Sequence, residues 1–178
     1  MKAWIRPLLL SMMLAVATSI SAEARAGLIK PSSWAAVPGD SLAAKTSLGD
    51  RVLQFAQKYL GTPYVYAGKD GRGFDCSGFL YFVYKNFSIA LPASSGAYRA
   101  VGREIRLQDA RPGDVMVFTG TNSAIRQPGH VGIVYEKMGE DIRFIHCSSA
   151  KNTNCVTYNV LSQPNYTRRF LKVVRVIE

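Results

Sequence analysis

The sequence predicts an α+β protein, with helices first and an antiparallel sheet after them. Two observations carry this. Over residues 50–61 and 77–87 the apolar residues recur at helical spacing, whereas from residue 114 onward short β-rich runs alternate with turn signals. Segregation of helices from strands, rather than strict alternation, argues for an antiparallel sheet with helices to one side.

The 178-residue chain opens with Lys2 and Arg6, an apolar run from Leu8 to Ile20, and the small-residue triplet Ala24-Arg25-Ala26. That is the layout of a secretory signal peptide cleaved after Ala26. The apolar run is shorter than the ~20 residues a membrane span needs, so residues 1–26 are excluded from the fold and no membrane insertion is expected after their removal. Residues 27–46, with Pro31, Pro38 and Gly39 and no sustained period, read as a linker or strap. Residues 47–178 remain as a single domain.

"DRVLQFAQKYLG" places Val52, Phe55, Ala56, Tyr59 and Leu60 on one helical face and stops at Gly61. "TPYVYAGKDGRG" is a Gly- and Tyr-rich loop. The second helix runs from Ser77 to about Phe87, with Phe79, Leu80, Val83 and Phe87 on its buried side. "DVMVF", "HVGIVYE", "IRFIHC", "CVTYNV" and "FLKVVRVI" are the strands, separated by turns such as "ARPGD" and "KMGED".

The second helix opens with "FDCSGF". Asp75 is a good N-cap, which puts Cys76 at the first helical position. Helix starts stabilise anions and lower a thiol pKa from its usual value of about 8.5, so this setting favours a thiolate. Gly78 keeps the first turn open to another backbone. The chain has two histidines, His130 and His146, and both fall in predicted strands. His130 shares its face with Gly132, which is expected to leave room for the partner helix; alternation puts His146 with Ile142 and Phe144, opposite Cys147. A thiol, an imidazole and a second polar group form the cysteine version of a nucleophile, base and orienter set.

Together, "GTPYVYAG", "GFDCSGF", "LP", "RPGDVMVF", "GHVGIV" and "FIHCSS" resemble the NlpC family of papain-like cysteine peptidases, which cut bacterial peptidoglycan stem peptides. The resemblance runs from about Leu48 to the C-terminus and is nearest to the single-domain, exported murein endopeptidases. It implies a circularly rearranged papain-like core. It implies Cys76 as nucleophile, His130 as general base and His146 as its orienter. Tyr64 is implied beside the cysteine as an oxyanion donor, and Asp75 and Ser77 along the substrate groove. No metal or other cofactor is implied, and the partners are peptidoglycan stem peptides cut at either the γ-D-glutamyl–diaminopimelate bond or the D-alanyl–diaminopimelate crosslink. Many relatives follow "LP" with Arg and place a Gln a few residues on; here Ala93 and Tyr98 stand there, so substrate preference at that edge is open.

The formal charge, +10 for the whole chain and +8 without Lys2, Arg6, Arg25 and Glu23 of the leader, suits an exported protein that meets an anionic surface, and the cell wall fits better than nucleic acid, since no zinc-finger spacing, basic helix or aromatic RNA-binding motif is present. A monomer is expected. Two other classes use the same residues: a non-catalytic wall-binding module, and a zinc-dependent amidase ligated by Cys76, His130 and His146. Cys147 and Cys155 end and begin successive strands across "SSAKNTN". In an oxidising compartment they are expected to form a disulfide, the alternative being two free thiols, one of them buried.

Overall fold

A computed structural model describes residues 46–178; the signal peptide and all but the last residue of the linker expected from the sequence lie outside the described residues. Three helices, α1 (Leu48–Gln57), α2 (Cys76–Lys85) and α3 (Pro164–Arg169), accompany six strands. These are β1 (Arg103–Ile105), β2 (Val115–Thr119), β3 (Pro128–Met138), β4 (Asp141–Cys147), β5 (Val156–Val160) and β6 (Phe170–Arg175). The strands form one sheet in the order β1-β6-β2-β3-β4-β5, every neighbouring pair antiparallel. Helices followed by an antiparallel sheet are what the sequence predicted.

α1 starts two residues before the expected Asp50, because Ser47 caps it. The Ser47 hydroxyl accepts from the Asp50 N–H while the Asp50 carboxylate accepts from the Ser47 N–H, a reciprocal capping box. The helix also ends earlier, at Gln57. Leu60 therefore leaves the apolar face and is 43% exposed, a correction to its expected burial. Gly61 follows at φ +81°, the left-handed stop that glycine tolerates.

α2 carries Phe79, Leu80 and Val83 into the core, each fully buried. Burying such a side chain contributes roughly 1.5–3 kcal/mol. They meet Val115, Val117, Val131, Ile133, Ile145 and Cys147 on one face of the sheet. The alternate residues Met116, Phe118, Val134, Ile142 and Phe144 form a second cluster with Leu161, Tyr166 and Val173. The period of two along each strand thus splits the core into a helix-covered face and an opposite face closed by α3.

β1 and α3 were not anticipated. β1 is only three residues of largely exposed edge, and α3 is one short turn opened by Pro164 with no side-chain cap. Neither leaves a periodic signature long enough to read.

Candidate active site

Asp75 caps α2 as expected. Its Oδ1 accepts from the Gly78 N–H at 2.6 Å and from the Ser77 hydroxyl at 3.0 Å. Such a cap is worth about 1 kcal/mol. Gly78 serves the close approach that its lack of a side chain suggested, since a Cβ there would overlap the Gly68 carbonyl. Cys76 therefore occupies the first position of α2, half-buried, with the backbone N–H groups of Val131, Ser77 and Cys76 itself favouring a thiolate.

The expected net lowering of the thiol pKa is not what the structure gives. Burial, and then the Asp75 carboxylate, push the Cys76 thiol above its ordinary range, and the N–H groups only partly oppose them. The chief reason is that the thiol is buried, and the residue that caps the helix adds an anion next to it. Ser77 is corrected too. It is 3% exposed and its hydroxyl is committed to Asp75, so it holds the cap rather than lining a groove.

The histidines project from the other face of the sheet. His130, 8% exposed, sits in β3 against the Phe118 ring, and a register shift between Phe118 and Thr119 falls beside it. Bulges of this kind re-aim side chains next to active sites. Gly132 makes room here, but not for a helix as expected: a Cβ would press on the Phe144 ring and on Cβ of His146, both in β4.

His130 Nε2 lies 2.9 Å from His146 Nδ1, with the rings edge to face. His146 Nε2 lies 2.8 Å from Asn159 Oδ1 and 3.2 Å from the Tyr166 hydroxyl. Asn159 donates through Nδ2 to Gln163 Oε1 at 2.7 Å, and its Oδ1 also accepts from the Tyr166 hydroxyl at 3.1 Å. An amide oxygen only accepts, so with Asn159 Oδ1 turned to the ring, His146 carries its proton on Nε2. Its Nδ1 then holds a lone pair, which accepts from His130 Nε2–H. His130 Nδ1 is left unprotonated, the form a general base needs. Asn159 and Tyr166 thus set the tautomer of both rings, and the sequence reading missed both. The one trace of Asn159 was a polar residue inside the run "CVTYNV".

Burial is the main cause lowering both imidazole pKa values, to about 4 for His146 and well below the usual histidine range for His130, where the His146 and Arg169 charges act in the same direction. These directions keep both rings and the Cys76 thiol neutral at rest at neutral pH. Among the described residues no hydrogen bond joins Cys76 to His130; the thiol instead faces the N–H of Val131, the next residue along.

Tyr64 is partly exposed and pairs with Phe74 in an isolated bridge; the charges of Cys76 and Asp75 both act on its phenol, which burial holds protonated. Tyr98 departs from its expected place at the groove edge. It is wholly buried, and its hydroxyl has no hydrogen-bond partner. Cys147 and Cys155 are free thiols, contrary to the expected disulfide. Cys147 pairs with Val156 rather than Cys155, turns into the helix-side core, and donates to the Phe74 carbonyl at 3.1 Å. Cys155, one residue out of register, is on the other side of the ladder. Among the described residues no three His, Cys, Asp or Glu side chains converge on a common metal position.

Residues 61–175 match the model of the NlpC/P60 family. The chain is 33% identical over 142 residues to a probable endopeptidase of Haemophilus influenzae, covering 74% of this chain and 81% of that one. It is 36% identical over 126 residues to a gamma-DL-glutamyl hydrolase of Bacillus subtilis, covering 70% of this chain but only 28% of that protein. A crystal structure of an NlpC/P60 family protein from Bacillus cereus superposes with a TM-score of 0.66 at 27% identity, over 75% of this chain and 41% of that one.

Proposed function

The chain belongs to the NlpC/P60 family, and from that premise we propose that it is an exported cysteine endopeptidase of peptidoglycan stem peptides. The observation that carries this reading is the directed thread Asn159–His146–His130, which leaves a lone pair on His130 Nδ1, together with a cysteine at a capped helix start whose thiol faces the N–H of Val131, the residue after His130.

In the proposed mechanism His130 Nδ1 takes the Cys76 proton and the thiolate attacks the carbonyl carbon of a stem-peptide amide. The resulting imidazolium keeps its Nε2–H on His146 Nδ1, so the orienting bond persists through the transfer. Backbone N–H groups at the start of α2 and the Tyr64 hydroxyl donate to the oxyanion; losing one such donor costs about 3 kcal/mol. His130 then protonates the departing amine, and water hydrolyses the thioester. Because burial disfavours both the thiolate and the imidazolium at rest, proton transfer belongs to the substrate-bound state.

The name of the Bacillus subtilis relative supports a γ-glutamyl amide as substrate, with the D-alanyl–diaminopimelate crosslink as the other candidate. Export rests on the leader ending at Ala26, and attraction to an anionic wall on the formal charge, +10 for the whole chain and +8 once Lys2, Arg6, Arg25 and Glu23 leave with the leader. Digestion of purified sacculi with mass spectrometry of the released muropeptides tests the reading. New peptide fragments cut at one of these bonds are expected; intact sacculi after prolonged incubation with folded, reduced protein would remove it in favour of a wall-binding module.

A further inference from the structure

A cavity of about 210 Å³ opens on the histidine side of the site. Its walls include His130, His146, Ser148, Thr121, Asn165 and Arg169, but not Cys76. That position has a chemical meaning. His130 must hand its proton to the departing amine, so the residue bearing that nitrogen lies on the histidine side of the thiolate.

Arg169 is the unusual member of this cavity. It is half-buried at the junction of α3 and β6. Its Nε donates to the carbonyl of Gly120 at 2.8 Å and its Nη2 to that of Thr119 at 2.9 Å, where β2 ends beside the register shift at His130. Its other terminal nitrogen, Nη1, has no hydrogen bond among the described residues, and none of the ion pairs there involves Arg169. The Arg169 charge acts on both histidines and disfavours their protonation. A fixed cation beside the general base opposes the imidazolium the reaction must form. Bonds to two carbonyls need a donor but not this full charge, so an unpaired cation here calls for an anion brought by the substrate. Ser148 is poised to help. It is buried, its Oγ accepts from the Ala150 N–H at 3.2 Å, and its hydroxyl proton remains free to donate.

We propose that Arg169, with Ser148, receives a free carboxylate carried on the carbon next to the scissile nitrogen of the departing residue. This rests on the peptidase reading above and narrows its substrate class to amides whose amine-side residue, a diamino acid in a stem peptide, is unamidated at that carbon. A D-alanyl crosslink offers such a carboxylate. A γ-D-glutamyl bond offers it where the stem has been trimmed back to the diamino acid. The protein then discriminates by the state of trimming and amidation of the wall. Bound carboxylate also neutralises Arg169 as His130 becomes charged, which couples recognition to base strength.

The test is binding without turnover. The full chain carrying Cys76→Ala is titrated calorimetrically with L-alanyl-γ-D-glutamyl-diaminopimelate, its carboxyl next to the scissile nitrogen either free or converted to the carboxamide. The free acid is expected to bind at least tenfold more tightly. Adding Arg169→Met should bring the ratio to about one, and adding Arg169→Lys should keep part of the preference, with folding of each protein checked by circular dichroism. A purely structural role for Arg169 would weaken both ligands alike. Equal affinity of the two ligands in the Arg169 protein, or a preference that survives Arg169→Met, would overturn the proposal. Failure of the peptidase reading is distinct: acid-selective binding by Cys76→Ala alongside no hydrolysis by the Cys76 protein removes the activity and leaves the site.

Discussion

The two faces of the sheet supply the site by different means. On the helix side the nucleophile is placed by local structure. Asp75 caps, Gly78 clears the Gly68 backbone, and an apolar layer of Phe79, Leu80 and Val83 fixes α2 on β3 and β4. On the other side the base is placed by distant residues. His130 and His146 lie in adjacent strands, but their tautomers depend on Asn159 in β5 and Tyr166 in α3. The nucleophile's geometry is therefore robust and its charge state poorly favoured, while the base's tautomer is set by a thread that any one of four residues can break. Position is secured by packing, and reactivity by directed polar contacts.

The largest loss is expected for Cys76→Ala or His130→Ala. Each should reduce muropeptide release from sacculi to background while leaving the circular dichroism spectrum unchanged, because the Asp75 cap and the apolar layer remain. Normal digestion by either variant would end the cysteine mechanism. A smaller loss is expected along the thread. A positioned general base contributes roughly 10²–10⁴-fold, and Asn159→Leu, which keeps the base but frees its tautomer, should cost about ten- to a hundredfold in kcat with little change in KM. His146→Asn should keep measurable activity and His146→Ala should lose more, since the need at that position is an acceptor for His130 Nε2–H. Equal inactivity of folded His146→Asn and His130→Ala would show instead that both rings take part in proton transfer.

Stability sharpens the contrast between the faces. His146 has a folded pKa of about 4 against the unfolded value of about 6.5, so the unfolded chain binds more protons between these values. The stabilisation is complete above pH 6.5 and is lost as pH falls toward 4, a change of about 3 kcal/mol from this ring. Urea unfolding from pH 7 to pH 4 should show the loss, and His146→Gln should flatten the profile. On the helix side the matching experiment is Tyr98→Phe. Removing a buried hydroxyl that has no partner should leave stability unchanged or raise it by about 1 kcal/mol; a clear loss would reveal a partner for that hydroxyl.

What was legible in the sequence follows the same division. The order of helices and strands came from hydrophobic period, and Cys76 from the signature of a cap. His130 and His146 were found by residue type and strand alternation. Asn159, Tyr166 and Arg169 were not, because their roles arise only when β5 and α3 fold back over the histidine face. The thiol's charge was misjudged since burial, which a cap signature does not show, and then the cap's own negative charge outweigh the helix start. The expected disulfide failed by one residue of register, which spacing along the chain does not specify. Ser77, expected along a groove, is instead spent on the cap.

The central claim is where two protons sit. With only two histidines in the chain, long-range proton–nitrogen correlation spectra of ¹⁵N-labelled protein at pH 7 read both rings directly. The account predicts two neutral imidazoles, each protonated on Nε2, with His130 Nδ1 bare. The opposite orientation of the Asn159 amide would reverse every bond in the thread, so a proton on Nδ1 of either ring, or an imidazolium at His130 in the resting protein, would contradict it.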